Sequence, residues 1–193
     1  MRGRPREFNR EHVLEEAMQV FRRRGFNGTG LAELEEATGL GRQSIYNAFG
    51  DKERLFDAAV ERYVDTKMQP LAELLQREGS AMANVREVLD LWEANLAGGD
   101  GCGCLIANSI CEVEAVPTDR GEMFQRVIGR IEAAFRQAFE TAQAQGELSA
   151  DRDVKAMARL FATLGQGLSV VSRVENPEFI RGAIHGAREM LAA

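Results

Sequence analysis

The chain has 193 residues, of which 45% are apolar, and a formal net charge of −6. That length and apolar fraction suffice for a hydrophobic core, so a small protein that depends on disulfides is excluded. No segment approaches the about 20 apolar residues that span a bilayer, and no apolar run follows the basic N-terminal residues. We therefore expect a cytoplasmic protein with no membrane partner.

The acidic charge is unevenly distributed along the chain. Residues 1–54 contain ten basic and nine acidic residues, whereas residues 55–193 contain fourteen and twenty-one, which gives net charges of +1 and −7. Because an acidic surface repels a polyanion, any contact with nucleic acid is expected near the N-terminus. Arginines are concentrated there, in the arm MRGRPR at residues 1–6 and in the run at residues 22–24.

The sequence predicts an all-α protein, because sustained alternation of apolar and polar residues and Asn-Gly hairpin turns are absent. The first helix is expected to begin after Asn9, a favourable N-cap residue, and to end at Gly25. A second, short helix is predicted over residues 30–39 and a third over residues 41–49.

Longer helices are predicted in the rest of the chain. Asp51 is the expected N-cap of a helix that Pro70 bends or interrupts, because proline lacks the N–H group that an α-helix needs. The next predicted ranges are 80–96, 104–116, 119–145, 154–171 and 180–190. The last two carry apolar residues at alternating steps of three and four, and the short connector VENP between them predicts an antiparallel pair.

The second and third predicted helices fit a helix-turn-helix unit. A turn of three or four residues that contains Gly39 joins them, and the third helix exposes a polar face, as a recognition helix in the DNA major groove does. A solvated helix surface is the common alternative, but such surfaces favour Glu and Lys over the mixture found here. The polar residues are Arg42, Gln43, Ser44, Tyr46 and Asn47. We therefore predict that this helix binds double-stranded DNA.

Residues 21–56, FRRRGFNGTGLAELEEATGLGRQSIYNAFGDKERLF, resemble the N-terminal domain of the TetR (TetR/AcrR) family of one-component transcriptional regulators. The shared positions follow the family's run of F…G(F/Y)…T, an apolar residue, A(A/T)G, S-(L/I)-Y-x-x-F and K-(E/x)-x-L. The resemblance implies a three-helix helix-turn-helix DNA-binding domain with a basic arm over residues 1–56. It also implies a larger helical effector-binding and dimerisation domain over residues 57–193.

Three residues depart from the family pattern. Gly30 and Gly41 stand where Ser or Thr N-caps are common, so the second and third helices are expected to have weak caps. Glu35 replaces a residue that is usually small or apolar where these two helices touch. Weak local packing is therefore expected at these places.

The resemblance places the polar residues of the third helix on the family's recognition helix. Arginine pairs with guanine through two hydrogen bonds, and glutamine or asparagine pairs with adenine, so Arg42 and Gln43 are the predicted base readers. The hydroxyl residues of this helix are expected to contact a phosphate or a thymine methyl group, and Thr29 and Lys52 to contact phosphates. Arg4 is expected in an A·T-rich minor groove, unless the arm is simply a frayed terminus. The full predicted DNA-binding set is Arg4, Thr29, Arg42, Gln43, Ser44, Tyr46, Asn47 and Lys52.

A palindromic operator requires two recognition helices about 34 Å apart, and therefore a homodimer. We predict that the last two helices form the dimer surface as half of a four-helix bundle, in which Gly165, Gly167 and Ser169 allow close approach. Packing within one chain is the alternative use of the same residues. The predicted interface residues are Phe161, Leu164, Leu168, Val171, Ile180, Ile184 and Ala187.

The resemblance further implies that the helices between residues 71 and 145 enclose an effector cavity. A small apolar or aromatic effector would bind there and release the protein from DNA. Plain core packing is the alternative for each candidate, because single Trp and Met residues on helices usually fill volume. The candidate lining residues are Trp92, Cys104, Asn108, Cys111, Met123, Phe124 and Val127.

The three cysteines could make the effector site reactive. Cys104 and Cys111 would lie about 10 Å apart along a helix, too far for a disulfide, and burial as small hydrophobic residues is the favoured interpretation. Cys102 lies in a glycine-rich loop and could move towards them, which would suit a thiol-reactive effector or a cysteine-based redox protein. A metal site is disfavoured because no C-x-x-C pair occurs.

Two further expectations concern the class of protein. Catalytic motifs such as a nucleophile elbow or HExxH are absent, so we expect neither an enzyme nor a cofactor. A constitutive nucleoid-binding protein without an effector is the remaining alternative, and it would discriminate weakly between DNA sequences.

Overall fold

A computed structural model describes residues 8–98, 101–112, 118–174 and 176–192. These residues form ten α-helices and one π-helical segment and contain no strand, which confirms the all-α prediction. The α-helices are α1 (Arg10–Arg24), α2 (Leu31–Thr38), α3 (Arg42–Phe49), α4 (Lys52–Tyr63), α5 (Gln69–Leu75), α6 (Ala81–Ala97), α7 (Leu105–Ile110), α8 (Thr118–Ala144), α9 (Val154–Val171) and α10 (Pro177–Ala192). No helix in the described ranges is long and apolar enough to cross a membrane.

The first four helices form a small unit around aromatic side chains, with α1 packed against α2 and α4. The rings of Phe21 and Phe26 each lie 5.1 Å from the ring of Phe56, in edge-to-face geometry. The start of α1 is fixed by the predicted cap, because the Asn9 side chain accepts hydrogen bonds from the backbone N–H groups of Glu11 and His12. This packing holds α2 and α3 at one end of the molecule.

The interruption predicted at Pro70 is present as a change of helix type. After α4 the chain forms a π-helix over Val64–Met68, and α5 follows with Pro70 in its first turn. Proline offers no N–H group, and its ring clashes with the carbonyl one turn earlier in a regular α-helix. The wider π-helical turns before Pro70 accommodate this clash without ending the helical path.

The remaining helices form a second core that centres on four aromatic rings. Trp92, Phe135, Phe139 and Phe161 lie with ring centroids between 5.4 and 6.1 Å apart in successive pairs. Helix α9 packs mainly against α8, and α10 packs mainly against α6. The last two helices therefore bury their apolar stripes mainly against different neighbours and not mainly against each other, and their antiparallel orientation stays a prediction.

The burial of these stripes also corrects the predicted dimer surface. Five of the predicted interface side chains are fully enclosed within a single chain: Phe161, Leu168, Ile180, Ile184 and Ala187. Leu164 and Val171 are half-buried. Gly165 does not serve close approach to another copy either, since a methyl group there would lie 2.7 Å from Cζ2 of Trp92 in the same chain. A different face of α9 and α10 must be considered for a partner.

Candidate nucleic-acid interface and ligand cavity

Helix α3 presents one polar and one apolar face. Ile45 and Phe49 point into the N-terminal core and are 1% and 7% exposed. On the other face Arg42, Gln43, Ser44 and Asn47 are exposed, and Tyr46 is half-buried. The predicted recognition residues are thus brought together on one accessible surface.

Two side-chain pairs on this surface hold each other in place. The Gln43 Nε2 group donates a hydrogen bond of 3.0 Å to Oδ1 of Asn47. The Arg42 guanidinium lies over the Tyr46 ring, with Cζ 5.4 Å from the centroid, and Nη2 lies 3.5 Å from the Tyr46 hydroxyl. Both pairs are four residues apart on the helix, and this spacing aligns them. The predicted base readers are therefore partly ordered before DNA is bound.

Glutamate carboxylates accept hydrogen bonds from backbone N–H groups at the starts of both helices whose caps were expected to be weak. At α2 the Gly30 N–H group donates to Oε2 of Glu33, over 2.8 Å. At α3 the N-cap residue Gly41 has no side chain, and the carboxylate of Glu35 on α2 accepts a hydrogen bond from the Arg42 N–H group. The departures at Gly41 and Glu35 thus compensate for each other.

Other predicted DNA contacts are placed differently by the structure. Thr29 is 1% exposed and its hydroxyl donates to the Gly25 carbonyl over 2.6 Å, so its side chain cannot reach a phosphate. Lys52 is half-buried, with Nζ 4.4 Å from the centre of the Phe26 ring. Arg10, which the sequence showed only as part of the basic charge, lies over the Phe49 ring beside α3. Arg4 lies outside the described residues.

A cavity of about 420 Å³ lies between the two cores. Met18, Gln19 and Arg22 of α1 line one side of it, so the N-terminal unit that carries α3 forms part of its wall. Most of the remaining wall comes from α6, α8 and α9. Trp92 and Cys104 are the predicted lining residues that border this cavity. The domain boundary at residue 56 stays a prediction, and α4 runs through it.

The other five predicted lining residues lie elsewhere. Asn108 is buried behind the cavity, and Cys111 is exposed on the surface. Phe124 and Val127 belong to the N-terminal core, against which Met123 also packs. Helix α8 has 27 residues, which is about 40 Å at 1.5 Å per residue, so its first turns and its later turns belong to different cores. Sequence periodicity shows a buried face but not which core receives it.

Burial of Cys104 agrees with the favoured interpretation, whereas Cys102 and Cys111 differ from expectation. Cys102 in the glycine-rich loop and Cys104 are buried, whereas Cys111 is exposed. Cys104 lies close to the hydroxyl of Tyr63, which also lines the cavity. Burial and the neighbouring Cys104 raise the pKa of Tyr63 well above its ordinary value, so the phenol is neutral at physiological pH. Among the described residues no group of His, Cys, Asp and Glu side chains could hold a metal ion.

Hydrogen bonds tie the cavity wall to the end of α1. The Arg22 Nε group donates to the Gly103 carbonyl over 2.7 Å, and the Asn108 side chain donates to the Arg22 carbonyl over 3.0 Å. Further along, the Asn27 N–H group donates to Glu112 over 3.0 Å. The loop before α7, together with α7 and its C-terminal end, is therefore attached directly to the turn between α1 and α2.

Two family models match the chain. The model for "Bacterial regulatory proteins, tetR family" matches residues 13–59, which contain α2 and α3. The model for "Tetracyclin repressor-like, C-terminal domain" matches residues 81–186. The match to the first model covers the recognition surface, and the match to the second covers most of the cavity wall.

Similar proteins and solved structures agree with these matches. The regulator YezE of Bacillus subtilis is 32% identical over 89% of this chain and 90% of its own length. The repressor ComR of Escherichia coli is 29% identical over 89% of this chain and 83% of its own length. A cysteine mutant of CifR in complex with 26-base-pair operator DNA is 31% identical, with a TM-score of 0.83 over 99% of both chains. The reduced form of Escherichia coli NemR is 26% identical, with a TM-score of 0.80 over 93% of this chain and 95% of NemR.

Proposed function

The chain belongs to the TetR family of DNA-binding transcriptional regulators, and from this premise we propose that it is a cytoplasmic, homodimeric repressor whose effector releases it from a palindromic operator. Its family is one of regulators and not of enzymes. The observation that carries the proposal is the exposed polar face of α3, on which Gln43 is already bonded to Asn47. That CifR, which is 31% identical to this chain, has a structure in complex with operator DNA supports DNA binding as the function.

The proposed DNA contacts follow from the exposure and the hydrogen-bonding groups of each side chain. Arg42 and Gln43 are exposed and carry the donors and acceptors that read guanine and adenine in the major groove. Ser44, Tyr46 and Asn47 border them on the same face. Lys52 is proposed to contact a phosphate while its stem stays on the Phe26 ring.

The proposed dimer surface is the outward face of α9 and α10. On α9, Leu160 and Val170 are 44% and 39% exposed, with the open position Gly167 between them, and Val174 just after the end of the helix is 76% exposed. On α10, Phe179 and Met190 are also exposed. A second copy related by two-fold symmetry would cover these apolar side chains and place two α3 helices on one operator.

The proposed effector site is the cavity between the two cores. An effector there would touch α1 directly, because Met18 and Arg22 form part of the wall. Displacement of α1 would change the spacing of the two recognition helices in the dimer, which lowers operator affinity. The apolar side chains around Trp92 suit an apolar or aromatic effector body, and the thiol of Cys104 would be the group that meets a thiol-reactive one.

The test is a selection of preferred duplexes from a random pool, followed by affinity measurements by fluorescence anisotropy at fixed salt. Arg42→Ala and Gln43→Ala are each expected to lose about 1–3 kcal/mol of discrimination at one base pair. Lys52→Ala is the control, since loss of a phosphate contact weakens binding to all sequences alike and reduces the salt dependence. Equal losses on every duplex for all three variants would contradict the assignment.

The same measurements separate the two alternatives. A constitutive nucleoid-binding protein would show little sequence preference for any variant. A cysteine-based redox protein would lose its response, but not its DNA affinity, when Cys102, Cys104 and Cys111 are all replaced by serine. An effector-dependent repressor would instead keep its response to thiol-unreactive effectors in that triple variant.

A further inference from the structure

The charged side chains that border the cavity all have the same sign. Among the described residues, those lining it include Arg22 and Lys67 but no aspartate or glutamate. This is unexpected on composition, because residues 55–193 carry fourteen basic and twenty-one acidic side chains. Cations at a cavity inside an otherwise acidic region attract negatively charged ligands and repel positively charged ones.

Lys67 is available to a ligand. It lies in the π-helical segment, it is exposed, and it forms no salt bridge or hydrogen bond with any described residue. Lys67 attracts the Glu15 carboxylate electrostatically, but the ion-pair partner of Glu15 is Arg62, at 3.0 Å. The ammonium group of Lys67 can therefore swing to a ligand without breaking an existing contact.

Arg22 places a second positive charge on the same side of the cavity. Arg22 lies near the hydroxyl of Tyr63. Tyr63 in turn precedes Lys67 by one helical turn. The Arg22 Nε group is held by the Gly103 carbonyl, which fixes the guanidinium in the cavity wall. Because Arg22 also has this structural role, Lys67 is the better residue for a test.

Other parts of the cavity wall offer an apolar surface with one unused polar group. Trp92, Leu96 and Ile131 provide the apolar area. Gln166 also lines the cavity, and its side-chain Oε1 atom is buried without a hydrogen-bond partner. A buried amide oxygen without a partner is costly, so it indicates a polar group of a ligand at this place. Rotation of the amide would present its NH₂ group to the same ligand.

We propose that the effector is a small organic anion, with an apolar or aromatic body against Trp92 and a carboxylate, sulfonate or phosphate group bound by Lys67 beside Arg22. This inference rests on the proposed effector role of the cavity and adds the chemical class of the effector. The cavity volume of about 420 Å³ is within the range of small-molecule sites.

The test uses two dyes that share a naphthalene ring and an anilino group. One is 8-anilino-1-naphthalenesulfonate, which is an anion, and the other is N-phenyl-1-naphthylamine, which is uncharged. Trp92 is the only tryptophan in the chain and borders the cavity, so energy transfer from Trp92 to either dye reports binding at this place. Each dissociation constant is measured by titration with the full chain.

Lys67→Gln is expected to weaken binding of the sulfonate dye about fivefold or more, because a charged hydrogen bond is lost. The same variant is expected to change binding of the naphthylamine less than about twofold. Lys155→Gln, which removes the same charge at the exposed start of α9, is the matched control and should change neither constant. The uncharged dye also shows whether each variant retains a folded cavity.

The proposal is overturned if Lys67→Gln affects both dyes equally or affects neither. Operator affinity of each protein is measured with and without dye in the same buffer. If Lys67→Gln weakens only the sulfonate dye but neither dye releases the operator, the anion site is supported and the proposed effector role is contradicted. Release by both dyes with no effect of Lys67→Gln would count against the anion site alone.

Discussion

At the scale of single residues, the N-terminus of the recognition helix depends on a side chain from another helix. Gly41 has an extended backbone conformation and no side chain to offer, and the Glu35 carboxylate accepts a hydrogen bond from the N–H group of Arg42. A carboxylate at a helix N-terminus is favoured by both the free N–H groups and the helix dipole. Glu35 therefore links α2 to the start of α3 as well as capping α3.

Replacement of Glu35 should be costly, and replacement of Gly41 should restore the loss. We expect Glu35→Ala to lower the free energy of unfolding by about 1 kcal/mol, as removal of a helix cap does. Gly41→Ser in the Glu35→Ala background should recover most of this, because a side chain at position 41 meets nothing within 4 Å and can cap α3 locally. Urea unfolding and operator affinity measure the two effects.

Glu36→Ala is the matched control for that experiment, since Glu36 is exposed on the same helix. A cost as large for Glu36→Ala, or no recovery with Gly41→Ser, would contradict the cap. Recovery of stability without recovery of operator affinity would show that Glu35 positions α3 in addition to capping it.

Residues such as Glu35 show the limit of what sequence can predict. The caps at Asn9, Asp51 and Ser80 are of a kind that sequence can predict, because each side chain binds N–H groups of its own helix two or three residues later. The bond from Glu35 joins different helices, and the burial of Thr29 depends on the turn around it. Local chemistry predicts a local partner, whereas contacts between elements require the fold.

At the scale of elements, α7 connects the cavity to the DNA-binding end. The Asn108 side chain donates to two backbone carbonyls, those of Cys102 and Arg22, over 2.8 and 3.0 Å. It thereby joins the loop before α7 to the last turn of α1. Cys104, the N-cap residue of α7, borders the cavity and lies between Cys102 and Asn108 in the sequence.

Asn108→Ala is expected to destabilise the protein by about 1–3 kcal/mol, because the buried Cys102 carbonyl and the partly buried Arg22 carbonyl lose a hydrogen-bond donor. Asn95→Ala serves as the control, since Asn95 borders the cavity but is exposed and forms no hydrogen bond with any described residue. Chemical denaturation of both variants gives the comparison. Equal and small effects would show that α7 is not held by Asn108.

The apolar stripes of α9 and α10 show why periodicity alone does not predict a dimer surface. Spacing of three and four residues marks a buried face, and Phe161 and Ile184 are indeed buried. The same spacing does not say whether the cover is another helix of the same chain or a second copy. The exposed apolar residues that include Val170 and Phe179 are recognised as a candidate contact surface only after the contacts within the chain are known.

At the scale of the whole molecule, the exposed apolar side chains of α9 and α10 are expected to hold two copies together. Val170→Glu or Phe179→Glu would place a charge in an apolar interface, where it loses hydration without gaining a partner. We expect either variant to shift the dimer towards monomer at micromolar concentration, as measured by sedimentation velocity. Gln125→Glu on the exposed side of α8 adds the same charge elsewhere and should leave the association unchanged.

Operator affinity should fall with dimerisation in these variants, because a single recognition helix covers only half of a palindrome. A monomeric variant that still binds the full operator with undiminished affinity would contradict the dimer requirement. Unchanged association in both Val170→Glu and Phe179→Glu would instead show that the interface lies on another face.

The π-helical segment Val64–Met68 gives the chain a tolerance that a regular helix lacks. In an α-helix the removal of one residue rotates everything after it by about 100° relative to everything before it. A π-helical turn already holds one residue more than an α-helical turn, so a single deletion there would tighten the turn and leave the flanking faces aligned. A deletion of one residue can therefore be absorbed between α4 and α5. The same deletion inside α8 would rotate its later turns by about 100° relative to its first turns, so that the side chains of one part would no longer face their core.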